Sequence, residues 1–210
     1  AQGGKAAQLT TNASYDTHPV WSPDGKSLAF ASDRRGSMDV YIVGKEGGVP
    51  KRITTHSGNE TPIAFLDNGH ILFQATLMPD AQAITFPSAQ FPQVYLTSTE
   101  GGRPSLYSSI PMEDISVGSD GTTLLYHDKK GYEDAWRKHH TSSITRDIWM
   151  SSQNGGKRSY TRLTDFNGED RTPVWSADGQ SFYYLSEKSG SFNVYRRNID
   201  GSGEKQLTHH

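Results

Sequence analysis

The chain contains the same block twice. His18-Pro19-Val20-Trp21-Ser22-Pro23-Asp24-Gly25 aligns with Thr172-Pro173-Val174-Trp175-Ser176-Ala177-Asp178-Gly179, and from that anchor the two segments run on without a gap. Asp33 matches Glu187, Gly36 matches Gly190, Val40-Tyr41 matches Val194-Tyr195, and Ile53-Thr54 matches Leu207-Thr208. Two divergent copies lie between them. One starts with Ile63-Ala64-Phe65-Leu66-Asp67-Asn68-Gly69, the other with Ile115-Ser116-Val117-Gly118-Ser119-Asp120-Gly121. A repeat of this length cannot bury an apolar face by itself, so its copies must stack on one another.

Each copy reads as four short strands. The first carries the Pro-Val-Trp-Ser pattern and ends in Asp-Gly or Asn-Gly, where glycine supplies a positive φ and the carboxylate or amide bonds the backbone. The second is an apolar run, Leu28-Ala29-Phe30 or Phe182-Tyr183-Tyr184, and the third is Val40-Tyr41-Ile42 or Val194-Tyr195-Arg196. A Gly-rich turn then leads to a fourth strand ending in Ile-Thr or Leu-Thr. Meandering four-stranded units in tandem predict an all-β chain of β-propeller blades. The expected blades cover residues 13–56, 57–109, 110–166 and 167–210. Their anchors are Trp21, Asp24, Gly25, Phe65, Gly69, Asp120, Gly121, Trp175, Asp178 and Gly179. Trp21, Phe65 and Trp175 are expected to pack between blades, and the acidic anchors to be turn residues.

Lys5-Ala6-Ala7-Gln8-Leu9-Thr10 has the pattern of a fourth strand with no blade before it, so residues 1–12 read as an orphan strand. Four blades plus one strand predict part of a larger propeller, with exposed strand edges able to pair with another chain; the alternative is a small closed ring of four blades with the extra strand paired elsewhere.

Composition removes several function classes. There is no cysteine, hence no disulfide, thiol catalysis or Cys-ligated zinc, and the formal net charge of −2 creates no field that favours nucleic acid. No apolar run approaches the roughly 18 residues of a membrane span. No cofactor or metal motif stands out: His139-His140 are adjacent and point oppositely in an extended segment. His139, Ser143 and Asp147 supply triad residue types, but local spacing provides neither triad geometry nor an oxyanion hole. No catalytic residue is expected in this chain.

Trp21-Ser22-Pro23-Asp24-Gly25, Leu28-Ala29-Phe30-Ala31-Ser32-Asp33 and Asp39-Val40-Tyr41 resemble the WD40-like repeats of TolB and tricorn propellers. The stretch from Trp136 to Trp149 and the following Gly168-Glu169-Asp170-Arg171-Thr172-Pro173-Val174 resemble tricorn-like S41 peptidases of bacterial origin. The resemblance implies a propeller that precedes a PDZ domain and a serine-protease module in an exported, periplasmic protein that cuts short peptides. Nothing in the chain resembles those later domains. The expected role is therefore a non-catalytic propeller segment that guides or gates peptides and supports assembly. Its expected partners are further blades, the PDZ and protease domains of the same parent, peptides, or a second copy. A TolB-like protein-binding module of the cell envelope is the alternative. A prolyl-oligopeptidase-type parent is disfavoured, since no Gly-x-Ser-x-Gly elbow occurs.

The two middle copies are longer than the outer ones, and the excess falls between their second and third strands, at about residues 76–93 and 128–147. In a propeller such loops emerge on one face, and long loops on rigid scaffolds often carry function. The first is apolar and Pro-rich. The second carries Trp136, Arg137, Lys138, His139, His140 and Arg146, a basic and aromatic cluster suited to peptide carboxylates or to a neighbouring domain.

Overall fold

The computed structural model describes residues 4–76, 92–131 and 142–210. Its regular structure is four antiparallel four-stranded sheets, each a meander in sequence order. The chain divides into two compact units, Ala1–Ser109 and Ile110–His210, with two blades in each. In the first unit, β1 (Asp16–Trp21), β2 (Ser27–Ser32), β3 (Asp39–Gly44) and β4 (Gly47–Arg52) form one blade. The other comprises β5 (Thr61–Asp67), β6 (His70–Ala75), β7 (Gln93–Ser98) and β8 (Ser105–Ser108). In the second unit, β9 (Met112–Val117), β10 (Leu124–Asp128), β11 (Ile148–Asn154) and β12 (Lys157–Arg162) precede β13 (Asp170–Trp175), β14 (Ser181–Ser186), β15 (Asn193–Asn198) and β16 (Lys205–Gln206). Among the described residues no helix is long and apolar enough to cross a membrane.

The core of each unit is the seam between its two blades. In the first, Ala29, Val40 and Ile53 pack against Phe65, Ile71, Phe73, Ala75 and Tyr95. In the second, Leu125, Ile148 and Leu163 meet Phe182, Tyr184 and Tyr195. The Ile-Thr and Leu-Thr pairs that close three of the repeats explain how a blade is tied. Ile53, Leu163 and Leu207 each donate their N–H to the carbonyl of Val40, Ile148 or Val194 at 2.8 Å. The adjacent hydroxyls of Thr54, Thr164 and Thr208 accept the N–H of those same three residues at 2.8–2.9 Å. The last residues of a blade thus satisfy the start of its third strand.

The turn anchors behave as expected at three sites. Gly25, Gly121 and Gly179 have φ of 65°, 67° and 65°. The carboxylates of Asp24, Asp120 and Asp178 accept N–H bonds from Lys26, Thr122 and Gln180. Gly69 differs: it lies outside the left-handed region, and its N–H is taken by the Asp67 carboxylate at 2.7 Å. The Asp67 side chain closes that turn directly, so no left-handed residue is required.

Phe65 is buried in the first seam, and Trp175 packs in the second, donating its indole N–H to Ser116 O at 3.1 Å. Trp21 departs from the expectation. It is 54% exposed, because no blade among the described residues of its unit lies against that side of β1. Residues 5–10 also form no strand. A strand is held by ladder bonds to a neighbour, and among the described residues no strand pairs with this segment; Leu9 O lies 3.4 Å from where a Cβ on Gly47 would stand.

Three first strands share a feature absent from the sequence pattern. His18, Asp114 and Thr172 occupy φ of 50°, 50° and 55°. At each, two residues of the first strand oppose one of the second, so Phe30, Tyr126 and Tyr184 face a bulge. Bulges of this kind usually place glycine in the left-handed position. His18 and Thr172 are additionally followed by proline, which further disfavours the conformation. His18→Gly should therefore stabilise the first unit by about 0.5–1 kcal/mol, strain relief exceeding the entropy cost of glycine. Urea unfolding measures this, and a loss of stability would show the His18 backbone to be unstrained.

Candidate functional site

The expected site is the long loop between β10 and β11. Trp136, Arg137, Lys138, His139 and His140 lie outside the described residues, as does the stretch 77–91 of the loop between β6 and β7. Arg146 and the stem that carries the loop are described.

That stem is a closed charge network. Lys130 Nζ bonds to the Asp147 carboxylate, donates to Thr145 O at 2.7 Å and lies 3.5 Å from Asp128. Asp147 also accepts from Arg162 Nη2 at 2.8 Å, while its N–H donates to Asp128 Oδ1 at 2.8 Å. Burial pushes the Asp128 carboxyl above the usual carboxylate range, against the pull of the Asp147 N–H and Lys130. The two arms meet at Gly131, whose added Cβ would stand 3.3 Å from Ile144. Arg146 is only 13% exposed at its side chain and donates to Glu169 Oε2 at 3.1 Å, with Glu113 at 3.7 Å.

Next to Arg146 stands a second cluster that the sequence did not single out. His127 is 4% exposed and packs between β9 and β13. Its Nδ1 accepts the Thr172 N–H at 3.2 Å, so Nε2 carries the hydrogen given to Glu113 Oε2 at 3.1 Å. Lys129 Nζ adds a bond to Glu113 Oε1 at 2.7 Å. The Thr172 hydroxyl donates to Asp114 Oδ2 at 2.7 Å, linking two of the left-handed residues. With both imidazole nitrogens engaged, this His–Glu pair has no free base and acts as a clamp on the Thr172 bulge. The sequence carried one hint of it, a histidine at the end of an apolar strand.

Among the described residues no group of three or more His, Asp or Glu could hold a metal ion. A crevice of ≈ 270 Å3 in the second unit is lined by Asp165, Phe166, Lys188, Arg197 and Glu204 among others. Its charges answer one another, since Glu204 accepts from Lys188 at 2.8 Å and from the Tyr184 hydroxyl at 2.7 Å.

The whole chain, residues 1–210, matches the tricorn protease N-terminal beta propeller domain. The chain belongs to that family. Tricorn protease homolog 1 of Streptomyces coelicolor is 26% identical over 208 residues, covering 98% of this chain and 18% of the relative. The tricorn protease homolog of Saccharolobus solfataricus is 22% identical over 97% of this chain and 18% of its own length. This tricorn-family chain therefore spans about a fifth of such relatives. Among solved structures, the tricorn protease superposes with a TM-score of 0.71 at 20% identity, over 96% of this chain and 19% of that one. TolB from Acinetobacter baumannii gives 0.70 at 20% identity, over 95% and 45%. At such identities the structural likeness establishes the propeller fold.

Proposed function

We propose that this tricorn-family propeller segment is a non-catalytic part of an exported, periplasmic serine protease of the S41 type. In that protein it guides or gates short peptides and supports assembly with further blades, a PDZ domain and the protease module. The observation that carries the reading is the stem of the third-blade loop. Lys130, Arg146 and Arg162 are matched by Asp128, Asp147 and Glu169, so the stem is a rigid mount with its own charges satisfied. Whatever the loop does for a ligand falls to Trp136, Arg137, Lys138, His139 and His140, whose composition suits a peptide carboxylate.

The test uses the full-length parent. Replacing Arg137 and Lys138 together by Gln should raise KM for short peptides roughly tenfold, the value of a charge-assisted hydrogen bond. Kinetics with unchanged KM and kcat would sink the contact role. A purified 210-residue chain that cleaved a short-peptide library would overturn the non-catalytic reading itself.

The likeness to TolB supports a second reading, a protein-binding propeller of the cell envelope. Absence of peptide hydrolysis by both parent and segment, with stable capture of an envelope protein by the segment, would favour it.

A further inference from the structure

The seam of the first unit contains more buried acid than buried base. Asp39, the first residue of β3, is 0% exposed, and Glu60, immediately before β5, is 1% exposed. The Glu60 N–H donates to Met38 O at 2.7 Å, which brings the head of the second blade onto the head of β3. The Asp39 charge acts on Glu60, and neither Asp39 Oδ2 nor Glu60 Oε2 receives a hydrogen bond. Two ionised carboxylates buried side by side repel one another and lack solvation, and a hydrogen held on one of them removes that cost. One cation reaches the pair, Arg52, with Nη2 2.8 Å from Asp39 Oδ1.

Among the described residues the remaining surroundings supply no second positive charge. The Thr54 hydroxyl and the His56 backbone lie beside Glu60 and favour its ionised form. Tyr41 faces Asp39 from the same sheet, and Arg34, over the Tyr41 ring at 4.5 Å, is held by Asp16 at 3.0 Å. Glu60 Oε2 receives no hydrogen bond.

The second unit repeats the arrangement. Asp147 and Asp170 are 2% and 0% exposed, and the Asp170 N–H donates to Arg146 O at 3.1 Å. Arg162 bonds Asp147 as Arg52 bonds Asp39, and Thr164 stands where Thr54 stands. Here, among the described residues, Asp128, Asp147 and Asp170 face Lys130 and Arg162, three acids to two cations. Lys188 approaches Asp170 but is held by Glu204, and Arg146 is held by Glu169. The hydroxyls of Ser186 and Thr164 complete the wall around Asp170.

We propose that each unit is latched at its blade seam by a proton retained in this buried acid pair, and that loss of the proton as pH rises loosens the seam. Burial, reinforced by the Asp39 charge, raises Glu60 to about 7, and burial raises Asp170 to about 6. Both lie above their ordinary values of 4.5 and 3.8. The folded state therefore holds the proton more tightly than the unfolded chain. The stabilisation is complete below the ordinary values and is lost as pH climbs through the folded ones.

Urea unfolding of the 210-residue chain from pH 4.5 to 8 tests this, with Glu60→Gln and Asp170→Asn alongside the wild type. At pH 4.5 Glu60→Gln should lie within about twofold of the wild type and Asp170→Asn within about sixfold. At pH 8 each should have a folded-to-unfolded ratio at least about tenfold higher, because its neutral side chain needs no proton. A difference from wild type that does not change with pH would overturn the latch. A 13C NMR titration of the wild-type carboxyls is independent of any variant's folding, and Glu60 titrating in the ordinary carboxylate range would overturn it equally.

Discussion

Replacing Phe182 by alanine is expected to remove about 3–5 kcal/mol from the stability of the second unit, the cost of deleting a fully buried aromatic ring that its surroundings cannot refill. Phe182 is 0% exposed and belongs to the seam with Leu125, Ile148 and Leu163. Its ring centroid lies 5.3 Å from that of Tyr184, which itself lies 5.8 Å from Tyr195. The cavity would open in the one place where the two blades of the unit hold each other. Neighbouring β14 and β15 are tied by a continuous ladder and cannot close over it without breaking backbone bonds. Urea unfolding followed by the fluorescence of Trp149 and Trp175 reads this unit. Val49→Ala, at a side chain that is 96% exposed, serves as the control and should stay within about 0.5 kcal/mol of wild type. A loss below about 1 kcal/mol for Phe182→Ala would mean that the seam is not close-packed.

The second large effect concerns acid. Burial alone would raise the Glu113 carboxyl, but hydrogen bonds from His127 and Lys129, with the Lys129 charge, outweigh it and hold the group near about 2 against an ordinary 4.5. The unfolded chain then takes up this proton before the folded one does. The stabilisation is present above pH 4.5 and is lost as pH falls toward 2. Its size follows from the shift, up to about 3 kcal/mol at neutral pH. Glu113→Gln should cost that much at pH 6 and nothing by pH 2, so the gap between the two unfolding curves should close on acidification. A gap of constant size would mean that Glu113 contributes through shape and not through its charge. Together with the seam acids, this predicts stability bounded on both sides, by Glu113 at low pH and by Glu60 and Asp170 as pH rises.

These effects arise from groups that no local pattern displays. Asp39 and Glu60 stand 21 residues apart in the sequence and Asp147 and Asp170 23, and neither pair matches a catalytic or metal-binding spacing. Their one trace in the sequence is the recurrence of Arg-Ile-Thr at Arg52 and Arg-Leu-Thr at Arg162, each following a buried Asp at the head of the third strand. That regularity becomes meaningful only when the threonine is seen to receive the strand's first N–H and the arginine to reach the aspartate. The basic and aromatic loop was the opposite case. Its composition was conspicuous, yet Arg146 is committed to Glu169 inside the fold.

What the sequence determined by itself was everything governed by short-range chemistry. Alternating apolar strands, Asp-Gly turns and the register of the copies are properties of a few consecutive residues, so the blades, their four strands and most turn anchors follow from them. The tertiary structure decided what depends on which surfaces meet. Trp21 and Trp175 occupy the same place in the repeat, yet Trp21 stands exposed while Trp175 is bonded to the strand beside it. Residues 5–10 have the composition of a strand and form none, since a strand exists only through ladder bonds to a neighbour. The left-handed bulges at His18, Asp114 and Thr172 likewise have no glycine to announce them. Burial sets the charge state of Glu60 and Asp170, and burial is a property of the seam between two blades.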